Sequence, residues 1–320
     1  MAAAFLAAKL RPPYIFHLES KLQLKRIESL YLIWPLLLSC LVIFAAASCH
    51  RSNRAYSDSF ADSIFALEQR TGGSIGVYAL DTATGNELAY RADERFAMAS
   101  TFKPLLVAAV LAQVDNGQLN LADTVSLQGV TIQPYSPVVG ELVEDAAMSL
   151  SDLSDAAVTL GDNTAANMLL EIIGGPEALT QFLRQGGDDI TRLDRYEVEL
   201  NENARGDERD TTTPRAVAES LRRLLFSEEL SEDSRKRLQD WMVASTTGTR
   251  RLRAGLPSTW RVGDKTGTGM NGAVNDIAVA WPPNGQPIVL AVYMSWSDVD
   301  VATLSGLHAE IAALVAASFR

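Results

Sequence analysis

The chain has 320 residues and a formal net charge of −11, from 28 Lys and Arg against 39 Asp and Glu. An acidic balance of this kind argues against a nucleic-acid partner, whose phosphates call for a basic face. The only histidines are His17, His50 and His308, and the only cysteines are Cys40 and Cys49, so neither a zinc-type cluster nor a disulfide framework is available.

The first expected element is an export signal over residues 1–48. Lys21, Lys25 and Arg26 precede the apolar run Leu30–Ala47, and Ala45, Ala46, Ala47 and Ser48 give a small-residue exit. Cys49 directly after Ala46-Ala47-Ser48 adds a lipidation site, and an uncleaved membrane anchor is the competing reading of the same run. The expected destination is the bacterial periplasm or the medium, with membrane contact only through the signal or a lipid on Cys49. Beyond the signal, 23 basic side chains face 37 acidic ones.

Two strands follow, Ser74–Leu80 and Glu87–Arg91, joined by a Thr-, Gly- and Asn-rich turn. Ser100 opens a helix running to about Asn116, ended by Gly117, with Pro104 harmless in its first turn. Leu105–Leu111 is apolar all round, which predicts a buried central helix. Ser151–Leu160 and Thr164–Ile173 are helical on either side of Gly161-Asp162-Asn163, and Gly174-Gly175-Pro176 restarts a third helix. Arg192–Asp210 is polar, charged and without period, and a loop that long in a compact domain is usually functional. Arg195 and Asp210 are placed to clamp its ends as an ion pair. Pro214 begins another helix, and Ser231 caps one reaching Val243. Strands return at Trp260–Asp264, Asp276–Trp281 and Ile288–Trp296, before an amphipathic helix over Val301–Phe319.

Strands at both ends around a helical centre predict an α/β (α+β sandwich) fold. The expectation is one antiparallel sheet of about five strands with flanking helices, built from 55–99 and 245–320. An all-α domain over 100–244 is inserted, with the active site at the interface.

Three short segments carry chemistry. Ser100-Thr101-Phe102-Lys103 sets a hydroxyl and an ammonium on one helix face, near an N-terminus that favours developing negative charge. Taken alone, the pair is common enough that Ser100 is equally an N-cap. Lys265-Thr266-Gly267-Thr268-Gly269, after a strand, suits a carboxylate and an oxyanion, or is a tight turn with a solvated lysine. Glu197 and Asn201, four apart in the long loop, can hold a water between a carboxylate and an amide, or simply face solvent. A Ser-His-Asp triad would have to use His308, which lacks context, so a nucleophilic Ser100 needs Lys or Glu as its base.

Taken together in order and spacing, these segments resemble the class A serine β-lactamases from about residue 60 onward. Tyr135-Ser136-Pro137, Asp162–Asn167, Arg192–Glu197, Asp207–Thr212 and Asp264–Gly267 take part in the match. The resemblance implies that Ser100 attacks the lactam carbonyl while Lys103 and Glu197 manage its proton. It implies that Glu197 with Asn201 activates the water that hydrolyses the acyl-enzyme, and that the N–H groups of Ser100 and Thr268 form the oxyanion hole. Asn163 then bonds the substrate's side-chain amide, Tyr135 lines the entrance, and Lys265, Thr266 and Thr268, with Gly267 between them, receive the carboxylate. Arg251 matches a supporting arginine of some members. No cofactor or metal is implied, the partner is a small-molecule β-lactam, and nothing demands more than a monomer.

Three departures qualify the resemblance. The family's S-D-N is Gly161-Asp162-Asn163 here, and the absent hydroxyl normally relays a proton to the lactam nitrogen. A water, or Lys265 and Thr266, must then substitute, or acylation slows. Val198 stands where many members have proline after the glutamate, so a trans or strained bond is expected. Ala99 and Gly269 occupy the places of the cysteine pair common in carbapenem-hydrolysing members. The readings that compete with hydrolysis of penicillins and cephalosporins are a penicillin-binding, transpeptidase-like protein acylated without turnover, and a binder that has lost activity.

Overall fold

A computed structural model describes residues 59–143 and 146–319. The expected signal over 1–48 and the lipidation site at Cys49 lie outside the described residues.

The sheet has five strands in the order β2-β1-β9-β8-β7, all neighbours antiparallel. They are β1 (Ser74–Asp81), β2 (Glu87–Tyr90), β7 (Arg261–Thr268), β8 (Val274–Trp281) and β9 (Ile288–Ser295). The first two come from one end of the chain and the last three from the other, so the termini jointly build the sheet. Side-chain alternation sorts the residues to its two faces. Ile75, Val77 and Ala79 of β1 and Leu290, Val292 and Met294 of β9 share one apolar cluster with the helix over residues 59–71 (α1) and with α9 (Val301–Ser318). Tyr78 and Leu80 of β1 and Val289, Ala291 and Tyr293 of β9 face the other way, into the cluster of the central helices. Both faces are covered, which is why β9 is buried along all eight residues and reads as a continuous apolar run.

The central helix α2 (Lys103–Asp115) is buried from Lys103 to Leu111, as its apolar circumference requires. Around it lie α3 (Leu150–Asp155), α4 (Asn163–Ile173), α5 (Pro176–Gln185), α6 (Pro214–Phe226) and α7 (Glu232–Ala244). Their starts are set by side-chain caps: Ser149 accepts from Asp152 N, Asp162 from Ala165 N, Thr213 from Ala216 N and Ser231 from Ser234 N. The short helix α8 (Leu252–Gly255) leads into β7.

Several boundaries differ from the sequence expectation. Ser100 does not cap α2; it lies inside a separate 3₁₀ turn, Ala99–Phe102, and Ala99 takes φ 45°. The helix expected over Ser151–Leu160 changes at Ala156 into a π-helical turn ending at Leu160. β7 runs on through the Lys265–Thr268 motif, so these residues are strand rather than the turn after it. Two small ribbons were not expected: β3 (Phe96–Ala97) with β6 (Thr211–Thr212), and β4 (Thr124–Ser126) with β5 (Ala147–Ser149). Pairs of two or three residues are too short to leave a period in sequence.

A candidate active site at the edge strand

The edge strand β7 packs against the turn that carries Ser100, and glycine makes the approach possible. A Cβ on Gly267 would stand 2.7 Å from Met98 O and 3.2 Å from Ser100 N. The turn is also tied to β8: Asn275 Nδ2 donates to Ala97 O at 2.9 Å and to Met98 O at 3.2 Å, and its Oδ1 accepts from Met294 N. Below, the Thr101 and Tyr293 hydroxyls pair at 2.7 Å. Ser100 is thereby held from three sides at the sheet's edge.

A buried cluster of charge surrounds it. Ser100 Oγ donates to Glu197 Oε1 at 3.0 Å, and Lys103 Nζ lies 3.1 Å from the same oxygen. Lys103 Nζ also donates to Gly161 O at 2.8 Å and to Asn163 Oδ1 at 2.6 Å, so its three hydrogens have three acceptors. Burial pushes the Lys103 ammonium below its ordinary pKa, while the Glu197 carboxylate, and more weakly Asp162, act the other way. Asn201 Nδ2 donates to the other Glu197 oxygen at 2.6 Å. Lys103, Glu197 and Lys265 are all essentially buried. Burial, and next the positive Lys103, bring Lys265 down to about 7.

The loop bearing Glu197 is fastened by its own charges. Arg195 Nε pairs with Asp210 Oδ2 at 2.6 Å, and Asp210 Oδ1 accepts the N–H groups of Asp194 and Arg195. Asn167, one turn along α4 from Asn163, grips the Glu197 backbone from both sides, accepting its N–H at 2.9 Å and donating to its O at 2.8 Å. The Glu197–Val198 peptide bond is cis, a point that Val198 in the sequence left open.

On the strand side, Lys265 and Thr266 are buried while Thr268 is exposed at the end of β7. Thr266 Oγ1 donates to Thr247 Oγ1 at 2.7 Å. Arg251 is buried behind the strand, with Nη1 on Gly267 O and Asn275 O and Nη2 on Thr268 Oγ1 at 2.6 Å. Tyr135, largely exposed with φ 58°, stands across from Gly161. Asn163 spends its amide on Lys103 and on Pro134 O.

The structure thus gathers Ser100, Lys103, Tyr135, Gly161, Asn163, Glu197, Asn201 and Lys265–Thr268 around one place, with Arg251 behind them. Asn167, at the end of the matched segment Asp162–Asn167, braces the site together with Thr247 and Asn275, of which Asn275 was not singled out in sequence. The signal for Asn275 was there: a polar pair with Asp276 inside an apolar strand needs buried partners.

A hydroxyl sharing a buried carboxylate with an ammonium, beside a strand edge that offers a second ammonium and hydroxyls, is an arrangement suited to acyl transfer. The model of the β-lactamase enzyme family matches residues 59–319. The chain is 47% identical to β-lactamase FAR-1 of Nocardia farcinica over 255 residues, 80% of this chain and 81% of that one. It is 48% identical over 244 residues to the carbapenem-hydrolysing β-lactamase KPC of Klebsiella oxytoca, covering 76% and 83%. A solved class A β-lactamase of the last common ancestor of Gram-negative bacteria superposes with a TM-score of 0.79 at 54% identity, covering 83% of this chain and all of that one. The chain belongs to the β-lactamase enzyme family, as a class A serine β-lactamase.

Proposed function

We propose that the enzyme hydrolyses penicillins and cephalosporins through an acyl-enzyme on Ser100. The observation that carries the reading is the bond from Ser100 Oγ to Glu197 Oε1 at 3.0 Å, with Asn201 on the second oxygen of the same carboxylate at 2.6 Å. Glu197 accepts the Ser100 proton as Oγ attacks the lactam carbonyl. Lys103, within 3.1 Å, steadies the charge that moves between them. Glu197 and Asn201 then orient the water that releases the product, the half-reaction that separates a hydrolase from a penicillin-binding protein. The Ser100 and Thr268 N–H groups receive the developing oxyanion. Lys265, Thr266 and Thr268 take the substrate carboxylate, with Arg251 holding Thr268 through its hydroxyl at 2.6 Å.

The reading is tested with a chromogenic cephalosporin and intact-protein mass spectrometry. Steady turnover, together with a covalent adduct on Ser100 that outlives the native one in Asn201→Ala, supports it. A single burst in the native protein makes it a transpeptidase-like acceptor instead, and no reaction makes it a binder. We further propose that the protein acts after export, on the strength of the basic, apolar and small-residue pattern up to Ser48. The N-terminal residue of the protein recovered from the periplasm checks this.

A further inference from the structure

Gly161 takes φ 76°, the left-handed region, and ends the π-helical turn. A Cβ at this position would stand 3.5 Å from Lys265 Nζ, 3.5 Å from Tyr135 Cε1 and 4.0 Å from Thr247 Cγ2. A side-chain hydroxyl here would therefore rest beside the Lys265 ammonium. Glycine supplies none, so the lactam nitrogen, on losing its bond to the carbonyl carbon, needs another donor.

Three of the neighbouring donors already spend their hydrogens elsewhere. The Thr266 hydroxyl gives its hydrogen to Thr247 Oγ1. The Ser100 hydroxyl gives its own to Glu197. Lys103 directs its three hydrogens at Gly161 O, Asn163 Oδ1 and Glu197 Oε1. Lys265 Nζ donates to one acceptor, Thr266 O at 2.8 Å. An ammonium has three hydrogens. Among the described residues no further acceptor is bonded to it, and its nitrogen borders the space that Gly161 leaves open.

We propose that in this enzyme Lys265 is the general acid of acylation, passing its proton to the departing lactam nitrogen across the notch at Gly161, directly or through one water. The inference rests on the acyl-enzyme reading above and assigns its missing half. The proton balance closes. Ser100 Oγ bonds to the carbonyl carbon and its proton goes to Glu197. The C–N bond breaks, its electron pair stays on nitrogen, and Lys265 Nζ supplies the proton that makes the amine. Glu197 is then neutral and Lys265 uncharged, and one proton moves from the first to the second through solvent before deacylation.

The electrostatic setting suits a lysine that must give up a proton at neutral pH. Burial, then Lys103 on α2, lower its pKa to about 7; Glu197 on the loop, Asp264 on its own strand and Asp276 on β8 oppose that, less strongly. Tyr135 faces the same gap from the entrance. The acid must be protonated to act, so acylation is lost as pH rises through the Lys265 pKa.

The test is single-turnover acylation by the chromogenic cephalosporin from pH 5 to pH 10 in the native enzyme, Gly161→Ser, Lys265→Arg and the double variant. Native acylation is expected to fall with a midpoint near 7 and then about tenfold per pH unit. Gly161→Ser is expected to be faster and, at saturating concentrations where carboxylate binding no longer limits the rate, to lose that limb, because the new hydroxyl relays the proton. Lys265→Arg keeps the positive charge for the substrate carboxylate but holds its proton beyond pH 12. It should slow acylation by about 10²–10⁴-fold with glycine at 161, and by less than about tenfold in the Gly161→Ser protein. Equal losses in the two backgrounds would assign Lys265 to carboxylate binding alone and overturn the proposal, as would a flat native profile between pH 6 and 9. Should Lys265→Arg fail to fold, judged by circular dichroism, the native and Gly161→Ser pH profiles decide. A native enzyme that never acylates defeats the hydrolase reading instead, which is a separate outcome.

Discussion

Asn201 donates to Glu197 Oε2 at 2.6 Å while its own amide oxygen is buried and accepts from no donor among the described residues. One end of the amide fixes the carboxylate, and the other is an acceptor reserved for something outside the chain, since buried polar atoms are seldom left unpaired. Asn201→Ala is therefore expected to slow deacylation by about 10²-fold or more, the scale of a lost proton-transfer partner, with acylation changed far less. Burst amplitude and acyl-enzyme lifetime, measured by mass spectrometry after rapid quenching, check this. Equal slowing of both half-reactions would contradict the assignment.

The Arg195–Asp210 pair holds the two ends of the Glu197 loop together, and Asp210 is fully buried. Asp210→Ala leaves Arg195 paired with Glu202 at 2.6 Å and frees two backbone N–H groups. Each backbone N–H left without its acceptor costs about 1–3 kcal/mol, so a loss of a few kcal/mol is expected. Thermal unfolding should show the loss. Since the loop carries Glu197, turnover should fall by more than the unfolded fraction explains.

Gly267→Ala sets a methyl group 2.7 Å from Met98 O and 3.2 Å from Ser100 N, both backbone atoms that cannot swing aside. Overpacking of this kind costs about 1–3 kcal/mol. β7 must move off the Ser100 turn, so acylation is expected to fall by about 10-fold or more. A crystal structure and single-turnover rates check it, and an unmoved β7 with full activity would refute it.

His308 is fully buried, with Nδ1 2.9 Å from Leu304 O. Burial, and next the charge of Arg251, lower its pKa to about 3, against 6.5 for an unfolded histidine. Between these values the unfolded chain binds the proton and the native one does not. Stability is therefore expected to fall with pH below about 6.5, approaching about 1.4 kcal/mol per unit. Asp264 and Asp276, whose carboxyl pKa values burial raises, act in the opposite sense. The quantity to measure is hence the difference between native protein and His308→Leu in urea melts from pH 4 to pH 7, which should shrink toward acid.

The sheet was legible because β9 and its neighbours are long, apolar and bounded by turns, and the order of the site segments is a matter of spacing along the chain. What sequence could not supply is the third dimension of the motif. Lys265 to Thr268 read equally as a turn because Lys and Gly have weak strand preference; pairing with Val274–Ile277 makes all four strand. Ser100 read as a helix start, yet the turn before α2 owes its shape to Asn275, 175 positions away, holding the Ala97 and Met98 carbonyls. Nor could the consequence of Gly161 be judged until the commitments of Thr266, Lys103 and Lys265 could be compared. Contacts made between distant segments leave no local period.

The π-helical turn Ala156–Leu160 adds a constraint of a different kind. An α-helix advances about 100° of azimuth per residue, and a π turn absorbs a surplus residue while keeping the residues beyond it in the same rotational phase. Gly161, Asp162 and Asn163 are carried on that phase from the cap at Ser149. Deleting one residue between Ala156 and Leu160 would remove that surplus and let the segment close into plain α-helix with the Gly161 carbonyl and the Asn163 amide still toward Lys103. In this stretch residue identity is under tighter constraint than residue count: Ala156, Ala157 and Val158 are buried in the central core, so larger side chains there should be tolerated less well than a single-codon deletion.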